Sequence, residues 1–248
     1  MFTPQGPSLR ELAVQALSSV EHGYDLLAPK FDETPFRTPG PILEAVEAAL
    51  SSLGPFVHGL DLCCGTGAGM EVLREVCREG VTGVDISAGM LAVGRRRLGG
   101  PGNGPGSGAP RVSWVRGDAL ALPFAPVFDV AVSFGAFGHF LPEQLPRLFS
   151  EVRSVLRPGG RFAFPLPAPA PPSSPWYWAA LGFDAAMRVR NALWRPPFVM
   201  YYRPFRLGVV RDELERAGFE VESYALPEFG RRTDGSPRCR MVVATRTG

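Results

Sequence analysis

Residues 60–69, Leu-Asp-Leu-Cys-Cys-Gly-Thr-Gly-Ala-Gly, decide how the rest of the chain is read. They spell the end of a buried strand, a tight turn and the opening of a helix. Gly65, Gly67 and Gly69 permit close backbone approach or a positive φ, which side chains hinder. A helix opening there aims its first N–H groups and the positive end of its dipole at a polar ligand. Twenty residues after Gly65, a second apolar run, Val81-Thr-Gly-Val-Asp85-Ile86, ends in an acid. In a doubly wound sheet that acid stands at the tip of the second strand, within reach of ribose hydroxyls. The two runs together predict a cofactor that carries a nucleoside.

Spacing narrows the choice. The dinucleotide fingerprint G-x-G-x-x-G needs a glycine where Met70 stands, and the extra glycine falls one residue early, at Gly69. The pattern from Asp61 to Gly67 is instead D-x-x-x-G-x-G. Four further motifs follow in order: Val84-Asp85-Ile86-Ser87, Arg116-Gly-Asp118-Ala119, Phe128-Asp-Val-Ala-Val-Ser133-Phe134-Gly135 and Leu156-Arg-Pro-Gly-Gly160-Arg-Phe. Together they resemble the class I S-adenosylmethionine (SAM)-dependent methyltransferase family, over roughly residues 20–165 and more loosely beyond. Cys63 stands where that family usually has its first glycine. The resulting Cys-Cys-Gly-Thr-Gly is similar to the turn of its quinone-methylating branch.

The resemblance implies an α/β, Rossmann-like, doubly wound sheet of seven strands, mostly parallel with an antiparallel C-terminal hairpin strand, under a helical lid and cap. It implies SAM as cofactor, with S-adenosylhomocysteine (SAH) as product, and methyl transfer to an oxygen, nitrogen or carbon nucleophile of a small, hydrophobic or aromatic metabolite; the alternatives are an RNA or protein methyltransferase and a catalytically silent SAM-binding partner subunit. Its length of 248 residues suits one domain. We divide it into a lid (1–53), a cofactor-binding core (54–165), an acceptor cap (166–208) and a closing helix and hairpin (209–248).

A formal net charge of +2 gives no basis for a nucleic-acid or membrane partner. The four cysteines, Cys63, Cys64, Cys77 and Cys239, form no C-x-x-C pair, so neither a disulfide framework nor a zinc site is indicated, and the metal set is empty. No basic segment precedes an apolar stretch at the N-terminus, and no apolar run reaches spanning length, which predicts a soluble, cytoplasmic protein. The oligomeric state has no sequence signal.

Hydrophobic periodicity predicts helices over 8–20, 39–53, 67–79, 87–98, 142–156, 177–193 and 209–217. Strands are predicted over 57–62, 81–86, 111–116, 128–134, 160–165, 218–223 and 241–245. The glycine- and proline-rich run 99–110 is a loop at the sheet end away from the crevice. Residues 22–32 resemble the Y-D-x-x-A-x-x-Y-D segment with which many small-molecule methyltransferases close over their cofactor, with Phe31 in place of the second tyrosine.

The residues that carry chemistry follow from these positions. Asp61 supports the glycine turn by an Asx-type bond, and the resemblance also implies that it acts near the methionine part of SAM. Asp85 suits two ribose hydroxyls as a bidentate acceptor, because Ser87 already serves as N-cap for the next helix. The resemblance extends the cofactor set to Gly65, Thr66, Gly67, Ile86, Met90, Asp118, Ala119 and Ser133. Ile86 and Met90 lie beneath the adenine or belong to the core, and Asp118-Ala119 reads the adenine edge or makes a polar turn. Residues 133–136 read Ser-Phe-Gly-Ala, lacking the N/D/S-P-P-aromatic box with which base methyltransferases grip a flipped amine. His139 is the general-base candidate, with cofactor orientation as its alternative role. Tyr24, Arg37, Phe134, Trp178, Tyr201 and Tyr202 are the candidates for an acceptor pocket under an aromatic cap.

Overall fold

Two serines break the N-terminal segment into separate helices. The computed structural model describes residues 6–34, 36–99, 108–194, 198–200 and 205–248. Helix α1 (Leu9–Leu17) starts on a capping box in which Ser8 and Glu11 each satisfy the other's backbone N–H. It stops at Ser18, whose hydroxyl donates to the Val14 carbonyl. Ser19 then accepts from the His22 N–H at 3.1 Å and starts α2 (Val20–Leu27). Serine side chains compete with helical hydrogen bonds in this way, so the helix predicted over 8–20 ends at Leu17, and a second helix that was not predicted follows it. A 3-10 turn (Ala28–Glu33) leads on to α3 (Gly40–Leu53), whose first turn holds Pro41.

The alternation that follows is β1 (Phe56–Leu62), α4 (Ala68–Val76), β2 (Cys77–Asp85), α5 (Ala88–Leu98), β3 (Arg111–Arg116), β4 (Phe128–Val132), α6 (Leu145–Val155) and β5 (Leu156–Pro167). Then come α7 (Pro175–Leu193), α8 (Leu207–Arg216), β6 (Phe219–Ala225) and β7 (Cys239–Arg246). Helix 67–79 therefore ends early: Cys77 pairs with Phe56 across the sheet, and this pairing overrides the helical pattern of residues 77–79. The helix predicted from 142 begins as a 3-10 turn at Pro142 and becomes α-helical at Leu145. Most of the loop predicted over 99–110 lies outside the described residues.

The seven strands stand in the order β3-β2-β1-β4-β5-β7-β6, with β7 antiparallel to both neighbours. The order reverses between β1 and β4, and the crevice outside their carboxyl ends is where such sheets bind ligands. Alternate residues of each strand feed opposite faces. Phe162 and Phe164 of β5, with Val242 and Ala244 of β7, pack with α6 and α8. Ala163, Met241 and Val243 pack with α3 and α4 on the other side. Phe149, Phe162 and Phe164 are fully buried, each worth about 1.5–3 kcal/mol of burial, so the sheet end that carries the site rests on a stiff base.

Candidate active site

The turn after β1 is built by close approach. Cys63 has φ +57, the one positive φ outside glycine among the described residues. The Cys64 N–H donates to the Val84 carbonyl at 3.0 Å, fastening the turn to β2. Gly67, at φ +91, caps α4, and a Cβ there would stand 2.5 Å from the Trp114 ring. A Cβ on Gly69 would stand 2.6 Å from Asp61 Oδ2. These glycines make room for a tryptophan and a carboxylate rather than touching a ligand through side chains.

A cavity of about 430 Å³ opens over this turn. Three carboxylates line it: Asp61, Asp85 and Asp118. Asp85 Oδ2 accepts from the Gly65 N–H at 2.8 Å and Oδ1 from the Ser87 N–H at 2.9 Å. Burial pushes the Asp85 carboxyl up, and these two N–H donors oppose the shift. Asp61 accepts from the Met70 N–H, yet its Oδ2 has no partner among the described residues. Burial first, and the neighbouring Asp85 charge second, raise the Asp61 carboxyl well above the ordinary range. Asp118 Oδ1 accepts from the Leu120 N–H at 2.9 Å. Ser87 caps α5 as expected, accepting from the Met90 N–H at 3.1 Å. Burial and the flanking carboxylates also raise both thiols of the turn, which keeps Cys63 and Cys64 protonated and poor nucleophiles.

The N-terminal segment is tied across the cavity at three points. Asp25 Oδ1 accepts from the Ser87 hydroxyl at 2.6 Å and from the Gly89 N–H at 2.8 Å. Asp32 accepts from the Thr66 hydroxyl at 2.8 Å and from Arg97 at 3.1 Å. The Tyr24 hydroxyl lies 2.9 Å from His139 Nε2. His139 Nδ1 lies 2.9 Å from the Val199 carbonyl, which only accepts, so Nδ1 carries the proton and Nε2 accepts from Tyr24. Burial lowers the imidazole below its ordinary value, so the ring is neutral at pH 7.

Gly65, Thr66, Ile86, Met90, Ala119, Tyr24, Arg37, Phe134 and His139, all singled out in the sequence, line one cavity. Gly67 and Ser133 do not: Gly67 faces Trp114, and the buried Ser133 hydroxyl donates to the Leu62 carbonyl at 3.1 Å, stitching β4 to β1. Trp178 is also misplaced by the sequence reading, since it points to solvent from α7 with its indole N–H on the Pro172 carbonyl. Tyr201 and Tyr202 lie outside the described residues. Asp25 and Asp32 were placed in a closing segment without roles of their own, and Val199 was not singled out, because their partners lie from 34 to 65 residues away in sequence. The repeated Tyr/Phe-Asp of residues 24–32 was the available signal for the two acids.

The residues present suit the implied cofactor. An unpartnered buried carboxylate oxygen at Asp61 asks for a donor or a cation. Ile86 is an apolar platform 39% exposed beside Asp85. Among the described lining residues Arg37 is the sole lysine or arginine, so three acids face a ligand with positive charge. A second groove of about 910 Å³ shares Phe36, Arg37, Thr38, Gly135 and Gly138 with this cavity. It runs away from the cavity between Pro165–Pro171 and Trp176.

Comparison with known proteins agrees with this geometry. Residues 60–160 match the methyltransferase domain family. The chain is 40% identical over 106 residues to the 2-phytyl-1,4-naphtoquinone methyltransferase of Thermosynechococcus vestitus, covering 42% of this chain and 43% of that one. It is likewise 40% identical over 107 residues to the ubiquinone/menaquinone biosynthesis C-methyltransferase of Paracoccus denitrificans, covering 42% and 40%. The matches thus span well under half of these relatives. Among solved structures, a SAM-dependent methyltransferase from Methanosarcina mazei superposes with a TM-score of 0.59 at 19% identity, over 78% of this chain and 94% of that one. The magnesium protoporphyrin IX methyltransferase of Synechocystis, solved with SAH, superposes with a TM-score of 0.55 at 18% identity, over 83% and 81%. These two likenesses show the shared fold.

Proposed function

We propose, from the match of residues 60–160 to the methyltransferase domain family, that this chain is a SAM-dependent methyltransferase acting on a small acceptor with an apolar ring. The observation that carries the reading is the pairing of Asp85 with the exposed Ile86 at the tip of β2, inside a cavity of three carboxylates. In this reading Asp85 accepts the ribose hydroxyls, Ile86 and Met90 support the adenine, and Asp118 with the Ala119 N–H meets its edge. Asp61 and the turn N–H groups face the methionine part. When bound, SAM supplies an electrophilic methyl group on a sulfonium.

The chain's own groups then position and deprotonate the acceptor. Phe134 and Phe36 exclude water around the cavity, and desolvation of an in-line nucleophile lowers the barrier without a strong base. Tyr24 presents its oxygen to the cavity with neutral His139 behind it. A proton leaving the acceptor passes to Tyr24 as the Tyr24 proton passes to His139 Nε2. The quinone-methylating relatives favour a phenolic or hydroquinone acceptor.

Calorimetry with SAH on wild type and Asp85→Ala, paired with transfer from labelled SAM to a hydroquinone panel, tests this. Asp85→Ala weakens SAH by about 1–3 kcal/mol, the range for a lost charged acceptor. Tyr24→Phe keeps the SAH affinity and slows transfer by about 10²-fold. Wild type that fails to bind SAH overturns the reading.

A further inference from the structure

Helix α7 buries one face and exposes an apolar one. Ala180, Asp184 and Met187, spaced four and three apart, point inward. On the opposite side, Trp178, Gly182, Ala185, Val189, Ala192 and Leu193 form a stripe at helical spacing without a single charge, all exposed. Trp178 is 61%, Val189 59% and Leu193 81% exposed, with Trp176 at 61% before the stripe and Trp194 at 55% after it. Three of the chain's four tryptophans thus stand at the two ends of one helix. Arg188 and Arg190 fall on either side of the stripe; Arg188 is exposed, whereas Arg190 is half-buried and donates to the Ser18 carbonyl. Residues 175–206 hold five arginines and one acid, a local excess that the net charge of +2 for the whole chain conceals.

We infer that α7 is a docking face for an anionic phospholipid surface, lying in the plane of the interface. An interfacial helix carries an apolar stripe at acyl depth, a basic residue at headgroup level and a tryptophan near the boundary, and α7 offers the stripe, the exposed Arg188 beside it and Trp178 within it. No helix among the described residues is long and apolar enough to cross a membrane, so the contact is peripheral. A second copy of the chain fits less well, because a two-fold contact through this stripe sets the flanking arginines of both copies against each other. Trp176 also borders the 910 Å³ groove that joins the cavity.

Co-sedimentation with vesicles tests the face without SAM or acceptor, so its outcome is separate from that of the methyltransferase reading. The full chain binds vesicles of equal parts phosphatidylcholine and phosphatidylglycerol, and its tryptophan emission shifts to the blue. Affinity falls at least about tenfold on pure phosphatidylcholine, and likewise for the double variant V189E/L193E. That variant, altered only at exposed positions, binds SAH as wild type does. Wild type indifferent to vesicle charge, or a variant that sediments as wild type does, overturns the inference. A dimer in solution that the variant dissociates, with no vesicle binding, overturns it in favour of a second copy. If the double variant fails to bind SAH, quenching of wild-type tryptophan by brominated phosphatidylglycerol decides: quenching supports the face and its absence rejects it.

Discussion

At the residue scale, Asp61 carries a conflict between folding and binding. Its carboxylate is buried, lies against the charge of Asp85 and leaves Oδ2 without a partner. The raised folded value means the native chain holds a proton that the unfolded chain releases near 3.8. Stability from this group is therefore complete below 3.8 and falls as pH rises through the folded value. Asp61→Asn removes that dependence. Without ligand it melts a few degrees above wild type at pH 7, corresponding to about 1 kcal/mol, and the gap narrows as pH approaches 4. The same variant binds SAH more weakly, and melting curves across pH with parallel calorimetry check both signs. Equal melting at every pH contradicts this account of the group.

At the scale of elements, the lid is a set of ties to helix starts. Asp25 on α2 holds the opening turn of α5 through Ser87 and Gly89, where a negative charge also meets the helix dipole. Asp25→Ala deletes both bonds and leaves the core of the sheet untouched. It is expected to cost about 1–3 kcal/mol and to speed SAH dissociation by tenfold or more, read by stopped flow, with faster amide exchange confined to α1 and α2. The elements of the cofactor cradle were legible because their signals are local: a glycine turn, a strand ending in Asp85 and a serine cap at Ser87. The ties were not, because Asp25, Asp32 and His139 meet partners distant in sequence. Trp178 misled because an aromatic-rich segment reads alike whether its rings face a pocket or solvent. Only the phase of α7 against the body of the protein separates the two.

At the scale of the whole molecule, β7 is the keystone. It lies between β5 and β6, and Met241, Val242, Val243 and Ala244 are all buried against one face or the other. Arg246 extends the clamp by donating to the carbonyls of Arg153 and Leu156. Val243→Asp places an unpaired charge in the core and is expected to remove more than about 4 kcal/mol, leaving no cooperative urea transition. Glu220→Ala on the exposed side of β6 stays within about 0.5 kcal/mol of wild type and serves as its control. Strand order also fixes a timetable in the cell. β7 leaves the ribosome after every strand around it, so the growing chain displays the bare edge of β5 and half-covered apolar faces until translation of the last strand is done. The sheet therefore closes only after β7 has emerged, and until then the unpaired edge of β5 is a site where the nascent chain is open to wrong pairing.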